Sequence, residues 1–211
     1  MLPPDFQPKY AYAPAIQFDQ AKQQRFESIF ATALSHPSST IEYHDIAPKY
    51  EFLTYLVQTQ PVVLHGSNNL AITVFEPRLT TDWAGRPLQA VYAAADGIWP
   101  MFFAIIDRKP YPYSLHNGCA WTTDATGQSI KVYQFAMSAR VLGDQPWRNG
   151  MIYVLPRDTF TQVRDHVGQT TEEWASPTPV HPLAKLAIQP RDFPFLDDVQ
   201  GMNDQWSVPK V

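Results

Sequence analysis

Apolar positions recur at two different periods along this chain, and the change falls near residue 60. Before it, in residues 19–34, Phe26, Ile29, Phe30 and Leu34 share one face at helical spacing, opposite Lys22, Gln23 and Gln24. The pattern predicts an amphipathic helix. A second is predicted from Pro48, a residue suited to a first helical turn, with Phe52, Leu53, Leu56 and Val57 turned inward. From Pro61 onward the apolar residues come in short β-branched and aromatic runs divided by turn residues. These predict strands at 62–65, 88–94, 130–138, 151–156, 174–180 and 183–189. One convincing helix interrupts them at 98–107, with Pro100 in its first turn and Phe102, Phe103, Ile105 and Ile106 nearly encircling it, so it should be well buried. A shorter helix is predicted at 158–166, where Asp158 can cap and Phe160 and Val163 share a face. Strands that do not alternate regularly with helices predict the α+β class. Residues 1–15 read as an irregular Pro/Tyr-rich arm. The expected organisation is an N-terminal arm and helices over 1–58, packed on a core at 59–211, as one domain overall.

Composition narrows the classes. At 211 residues, 45% hydrophobic and 17% charged, the chain can bury a full core. A net charge of −4 without a Lys/Arg cluster argues against a nucleic-acid backbone as partner, because phosphate binding needs concentrated positive charge. Cys119 is the only cysteine, which excludes an internal disulfide and a Cys-based zinc site and fits a reducing cytoplasm. No apolar run approaches the roughly 20 residues that span a bilayer, and Pro3, Pro4, Asp5 and Pro8 interrupt the start where a signal peptide would be apolar. A soluble protein with no membrane partner is expected. Twenty prolines against nine glycines make long helices scarce beyond the N-terminal part. His36, His44, His166 and His181 lack metal-ligand spacing, so no metal is expected, and no Gly-rich loop cradles a phosphate. His116-Asn117-Gly118-Cys119 reads as a turn holding a structural thiol rather than a nucleophile and its base.

The candidate chemistry lies at strand ends. Val62-Val63-Leu64 runs into His65-Gly66-Ser67, with Gly66 permitting close approach to the backbone. Tyr92 ends an apolar strand and Phe103 follows eleven residues on, with Phe102 as an alternative ring if the register differs by one. Two such rings suit a flat, electron-poor cation, each contact contributing roughly 0.5 to 2 kcal/mol when water is excluded. Glu172-Glu173-Trp174 opens a late strand, in which only one of the two carboxylates can face a given side. Arg78 lies thirteen residues after His65, with Arg86 as a second basic candidate. Taken singly, each has a blander reading: a polar turn, a core ring, a solvated acidic pair, a surface arginine.

Together the set resembles the ADP-ribosyltransferases, in the branch that includes diphtheria toxin and the poly(ADP-ribose) polymerases; the likeness covers roughly residues 60 to 190. The resemblance implies a split, mixed β-sheet core and NAD as substrate. It implies that His65 and Ser67 hold ribose, Gly66 clamps the nicotinamide carboxamide, Tyr92 and Phe103 stack on the ring, and Arg78 approaches the diphosphate. Glu173 would be the catalytic carboxylate, stabilising the oxocarbenium-like ribose as nicotinamide leaves. ADP-ribose would then pass to a protein or small-molecule acceptor. Alternatives on the same fold are an NAD glycohydrolase, in which water is the acceptor, and a non-catalytic module that binds NAD, ADP-ribose or a protein. RNA 2′-phosphotransfer fits the acidic balance poorly. The chain departs from the family at Ile98-Trp99-Pro100-Met101, where a Ser or Thr usually bonds the carboxamide, and in having Phe103 where Tyr is commoner.

Overall fold

The computed structural model describes residues 6–36, 39–44, 46–81, 87–107 and 114–203. In chain order its strands and helices are β1 (Ala11–Tyr12), α1 (Gln20–Leu34), β2 (Ser39–Thr40), α2 (Lys49–Thr59), β3 (Val62–Ser67), β4 (Arg78–Thr81), β5 (Pro87–Ala94) and α3 (Trp99–Ile105). Then follow β6 (Leu115–Thr123), β7 (Ser129–Ser138), α4 (Ala139–Gly143), β8 (Gly150–Pro156), β9 (Thr161–Arg164), β10 (Thr170–Ser176), β11 (Ala184–Ile188) and β12 (Gln200–Met202). The chain is mixed α and β, mostly sheet with few helices, and among the described residues neither sheet closes into a barrel. That agrees with the α+β class.

The chain divides into two compact units, one of residues 16–105 and 148–194 and the other of 1–15, 106–147 and 195–211. The larger is built on the sheet β2-β11-β8-β3-β5-β10-β9, with β4 also pairing β5. Every pairing in it is antiparallel except β2 with β11. Asp19 caps α1 by accepting the Lys22 N–H at 2.7 Å. Phe26 of α1 meets Phe52 and Tyr55 of α2 at ring separations of 5.3 and 5.6 Å, and a Lys22–Glu51 ion pair of 2.7 Å ties the helices together. One sheet face carries Val63, Val91, Ala93, Tyr153, Leu155 and Phe160 in a common core. Over that face the buried Tyr153 hydroxyl donates to the Asn69 carbonyl at 2.6 Å and accepts the Ile72 N–H at 3.0 Å, pinning the chain after β3.

In the smaller unit β6 and β7 form a long hairpin, and the far edge of β7 takes β1 antiparallel and β12 parallel. Its core gathers Tyr133 and Phe135 against Phe195, at ring separations of 5.2 and 5.9 Å.

Four sequence expectations are corrected. The helix at 158–166 is instead a turn and β9, which pairs with β10. The late strand runs over Thr170–Ser176 rather than 174–180. His116 to Cys119 lie in β6 and not in a turn. Leu34, expected on the inner face of α1, is 42% exposed, and Ala33 is buried in its place.

Candidate functional site

The strands that carry His65, Tyr92 and Glu173 are consecutive neighbours, in the order β3, β5, β10. β5 and β10 pair from Glu173–Ala94 to Ser176–Val91, whereas β3 and β5 share the single pair Leu64–Ala94. Opposed residues in antiparallel strands put their side chains on one face, and successive residues alternate. Leu64, Gly66, Ala94, Tyr92 and Glu173 therefore share a face. Val63, His65, Ser67, Ala93, Glu172 and Trp174 share the other. Of the two adjacent glutamates, Glu173 is the one on the Tyr92 side, diagonal to Tyr92 across the Ala175–Tyr92 pair. Arg78 opens β4 opposite Ala90, two residues before Tyr92, and alternation puts it on the Tyr92 side too, with its side chain exposed.

Backbone direction follows from two hydrogen bonds. Arg157 N–H donates to the Pro61 carbonyl at 3.0 Å, which turns the odd-numbered residues of β3 towards β8 and leaves the N–H and C=O of Gly66 directed at β5. Ala95 N–H donates to the Glu172 carbonyl at 2.9 Å, which by the same alternation directs the Tyr92 carbonyl at β3. The His65 Nδ1 lies 2.6 Å from that carbonyl. A carbonyl only accepts, so the ring carries its hydrogen on Nδ1, and in the neutral ring Nε2 is an acceptor. The imidazole thus bridges β3 and β5 just where their registered pairing ends, and it also packs on Phe75 with ring centroids 4.6 Å apart. Ser67 Oγ accepts the Asn69 N–H at 3.1 Å, fixing the turn after β3.

Above the Tyr92 face sits α3. Asp96, 3% exposed, holds its start by accepting the N–H groups of Ile98 and Trp99 at 2.8 and 2.6 Å. The expectations for the site omitted Asp96, although an Asp-Gly two residues ahead of a helix start is a readable capping signal. The helix presses directly on the sheet: a Cβ on Gly66 would come within 1.8 Å of the Pro100 carbonyl oxygen, and one on Gly150 within 1.7 Å of that of Ala104. On this face the space beside Gly66 is thus filled by helix backbone, and what Gly66 can offer a ligand is its in-plane N–H and C=O. Phe102 is fully buried, 5.8 Å from the Phe193 ring, whereas Phe103 alone among the residues of α3 is half-buried. Of the two candidate rings, Phe103 is the more exposed, and the rest of α3 is buried, as its sequence predicts.

Arg86 lies outside the described residues. His116 and Cys119 sit three apart on β6, hence on opposite faces, which disposes of them as a nucleophile and base. Burial pushes the His116 pKa down, partly offset by a hydrogen bond with Gln134. Among the described residues no cluster of three His, Cys, Asp or Glu side chains could hold a metal, and no helix is long and apolar enough to cross a membrane. No family model, no curated protein and no solved structure matches the chain.

Proposed function

We propose that the protein binds NAD at the divergence of β3 and β5 and transfers ADP-ribose from it with release of nicotinamide, on a split sheet like that of the ADP-ribosyltransferases. The observation that carries this reading is the pairing of β5 with β10, which sets Tyr92 and Glu173 on one face as diagonal neighbours. Diagonal pairs stand about 7 to 8 Å apart, a separation at which a ring can hold nicotinamide while a carboxylate meets the adjoining ribose. Phe103 supplies the second ring from α3. The Gly66 N–H and C=O, directed at β5, are the groups suited to a planar carboxamide. Glu173 acts when the glycosidic bond breaks, since a carboxylate stabilises the positive charge that develops on the ribose. His65, although on the other face, organises the divergence by taking the Tyr92 carbonyl. The ADP-ribose acceptor is a protein or small molecule, or water if the protein is a glycohydrolase.

A second reading is a non-catalytic module that binds NAD or ADP-ribose in the same place. The stretch Ile98-Trp99-Pro100-Met101 favours it, because it lacks the hydroxyl that would bond the carboxamide and the Pro100 carbonyl fills the space next to Gly66. Incubation with NAD and measurement of free nicotinamide separates the two. Release is expected from the parent chain, and Glu173→Ala is expected to lower the rate roughly 100-fold to 1000-fold while changing NAD affinity little. Binding without release assigns the module, and equal rates in parent and variant remove Glu173 from the mechanism.

A further inference from the structure

A groove of about 430 Å3 opens beside α1, the start of β3 and the end of β8, on residues that take no part in the site above. Small-molecule sites commonly enclose about 300 to 1,000 Å3. Its walls are hydrocarbon: Phe30 and Leu34 one helical turn apart on α1, with Val62 and Leu183. Leu34 is 42% exposed, so the groove leaves apolar surface wet. Trp174 lines it as well, and the Arg157 guanidinium lies 5.3 Å over the indole ring. Among the described residues Arg157 has no carboxylate partner, and the buried Trp174 Nε1–H has no acceptor.

Two charges border this hydrocarbon. Asp158 is exposed, where water and salt screen it, while Arg157 is half-buried against an aromatic face, where screening is weaker. The less screened charge sets the preference, and the Arg157 guanidinium is a donor. We propose that the groove binds a monocarboxylic acid with an apolar body, of the medium-chain fatty acid class, its chain along Phe30, Leu34, Val62 and Leu183 and its carboxylate on the Arg157 guanidinium. Trp174 follows Glu173 in sequence but faces the other side of β10, so this site stands or falls independently of NAD chemistry.

Calorimetric titration of the full chain with decanoate, below its micelle concentration, tests the proposal. Decanoate is expected to bind, octanoate roughly tenfold more weakly for two lost methylenes, and decanol and decyltrimethylammonium at least as weakly as octanoate. Arg157→Gln is expected to lower decanoate affinity roughly 10-fold to 100-fold with decanol unchanged. Leu34→Glu, at an exposed position that tolerates a charge, is expected to abolish binding of all of them, and Tyr92→Ala to change none. Failure of decanoate to bind, equal affinity for decanoate and decanol, preference for the quaternary ammonium, or indifference to both Arg157→Gln and Leu34→Glu overturns it.

Discussion

At the scale of single residues, the adjacent rings of α3, Phe102 and Phe103, differ in how cleanly they can be probed. Phe102→Ala removes a fully buried side chain and is expected to cost about 3 to 5 kcal/mol of stability. Phe103 is half-buried, so Phe103→Ala is expected to cost clearly less while weakening nicotinamide binding and leaving ADP-ribose binding alone. Tyr92→Ala is expected to follow the same pattern. Thermal unfolding beside calorimetric titration with nicotinamide and with ADP-ribose gives both readouts, and unchanged nicotinamide affinity in both ring variants returns Tyr92 and Phe103 to plain packing. Much at this scale was legible beforehand. His65, Tyr92 and Glu173 are each recognisable as polar groups at the margins of apolar runs, and that Glu173 rather than Glu172 shares the Tyr92 face needed only the pairing with β5. What sequence alone withheld was the side of the sheet for His65, because alternation gives parity within a strand but not the register between strands. It also withheld which of Phe102 and Phe103 is the buried one, since Phe102 packs on Phe193 from a distant segment.

Among the elements, the two tight hairpins show why a local pattern misled. Phe160 and Val163 fit a helical face as well as a strand, and the helix expected at 158–166 used that ambiguity. The decisive signal lay just beyond it, in Asp165-His166-Val167-Gly168-Gln169, which matches Asp124-Ala125-Thr126-Gly127-Gln128 in form. In both, one aspartate oxygen accepts N–H groups two and four residues on, and the glycine takes a φ of 84° or 87°. Aspartate capping with a left-handed glycine three residues later marks a hairpin, and each flanking run is then a strand. Gly168→Ala is expected to cost about 1 to 2 kcal/mol, the usual penalty of a side chain in that conformation. Gly66→Ala should cost more, because the added methyl meets helix backbone rather than open space. Denaturant titration of the two variants ranks them, and a Gly66→Ala protein as stable as the parent would mean that α3 does not sit on β3 as described.

For the whole molecule, the class was readable from the poor alternation of helices with strands, while its division was not, because the smaller unit is assembled from three separate stretches of chain. Periodicity reports what a segment buries and is silent on its distant partners; β1 and β12 are too short, at 2 and 3 residues, to carry a pattern at all. Yet β7 takes them both as neighbours, Ala11 opposite Tyr133 and Gly201 opposite Met137. These are ties between residues more than sixty positions apart on either side, and closing such loops precedes any gain from the contacts they bring. Refolding from denaturant is accordingly expected on the scale of milliseconds to seconds rather than microseconds, as stopped-flow fluorescence would record. During synthesis the hairpin Leu115–Thr123 with Ser129–Ser138 must wait with the 136–138 part of its edge uncovered until residues 200–202 have left the ribosome, and a chain stalled short of that point would be a natural target for chaperones.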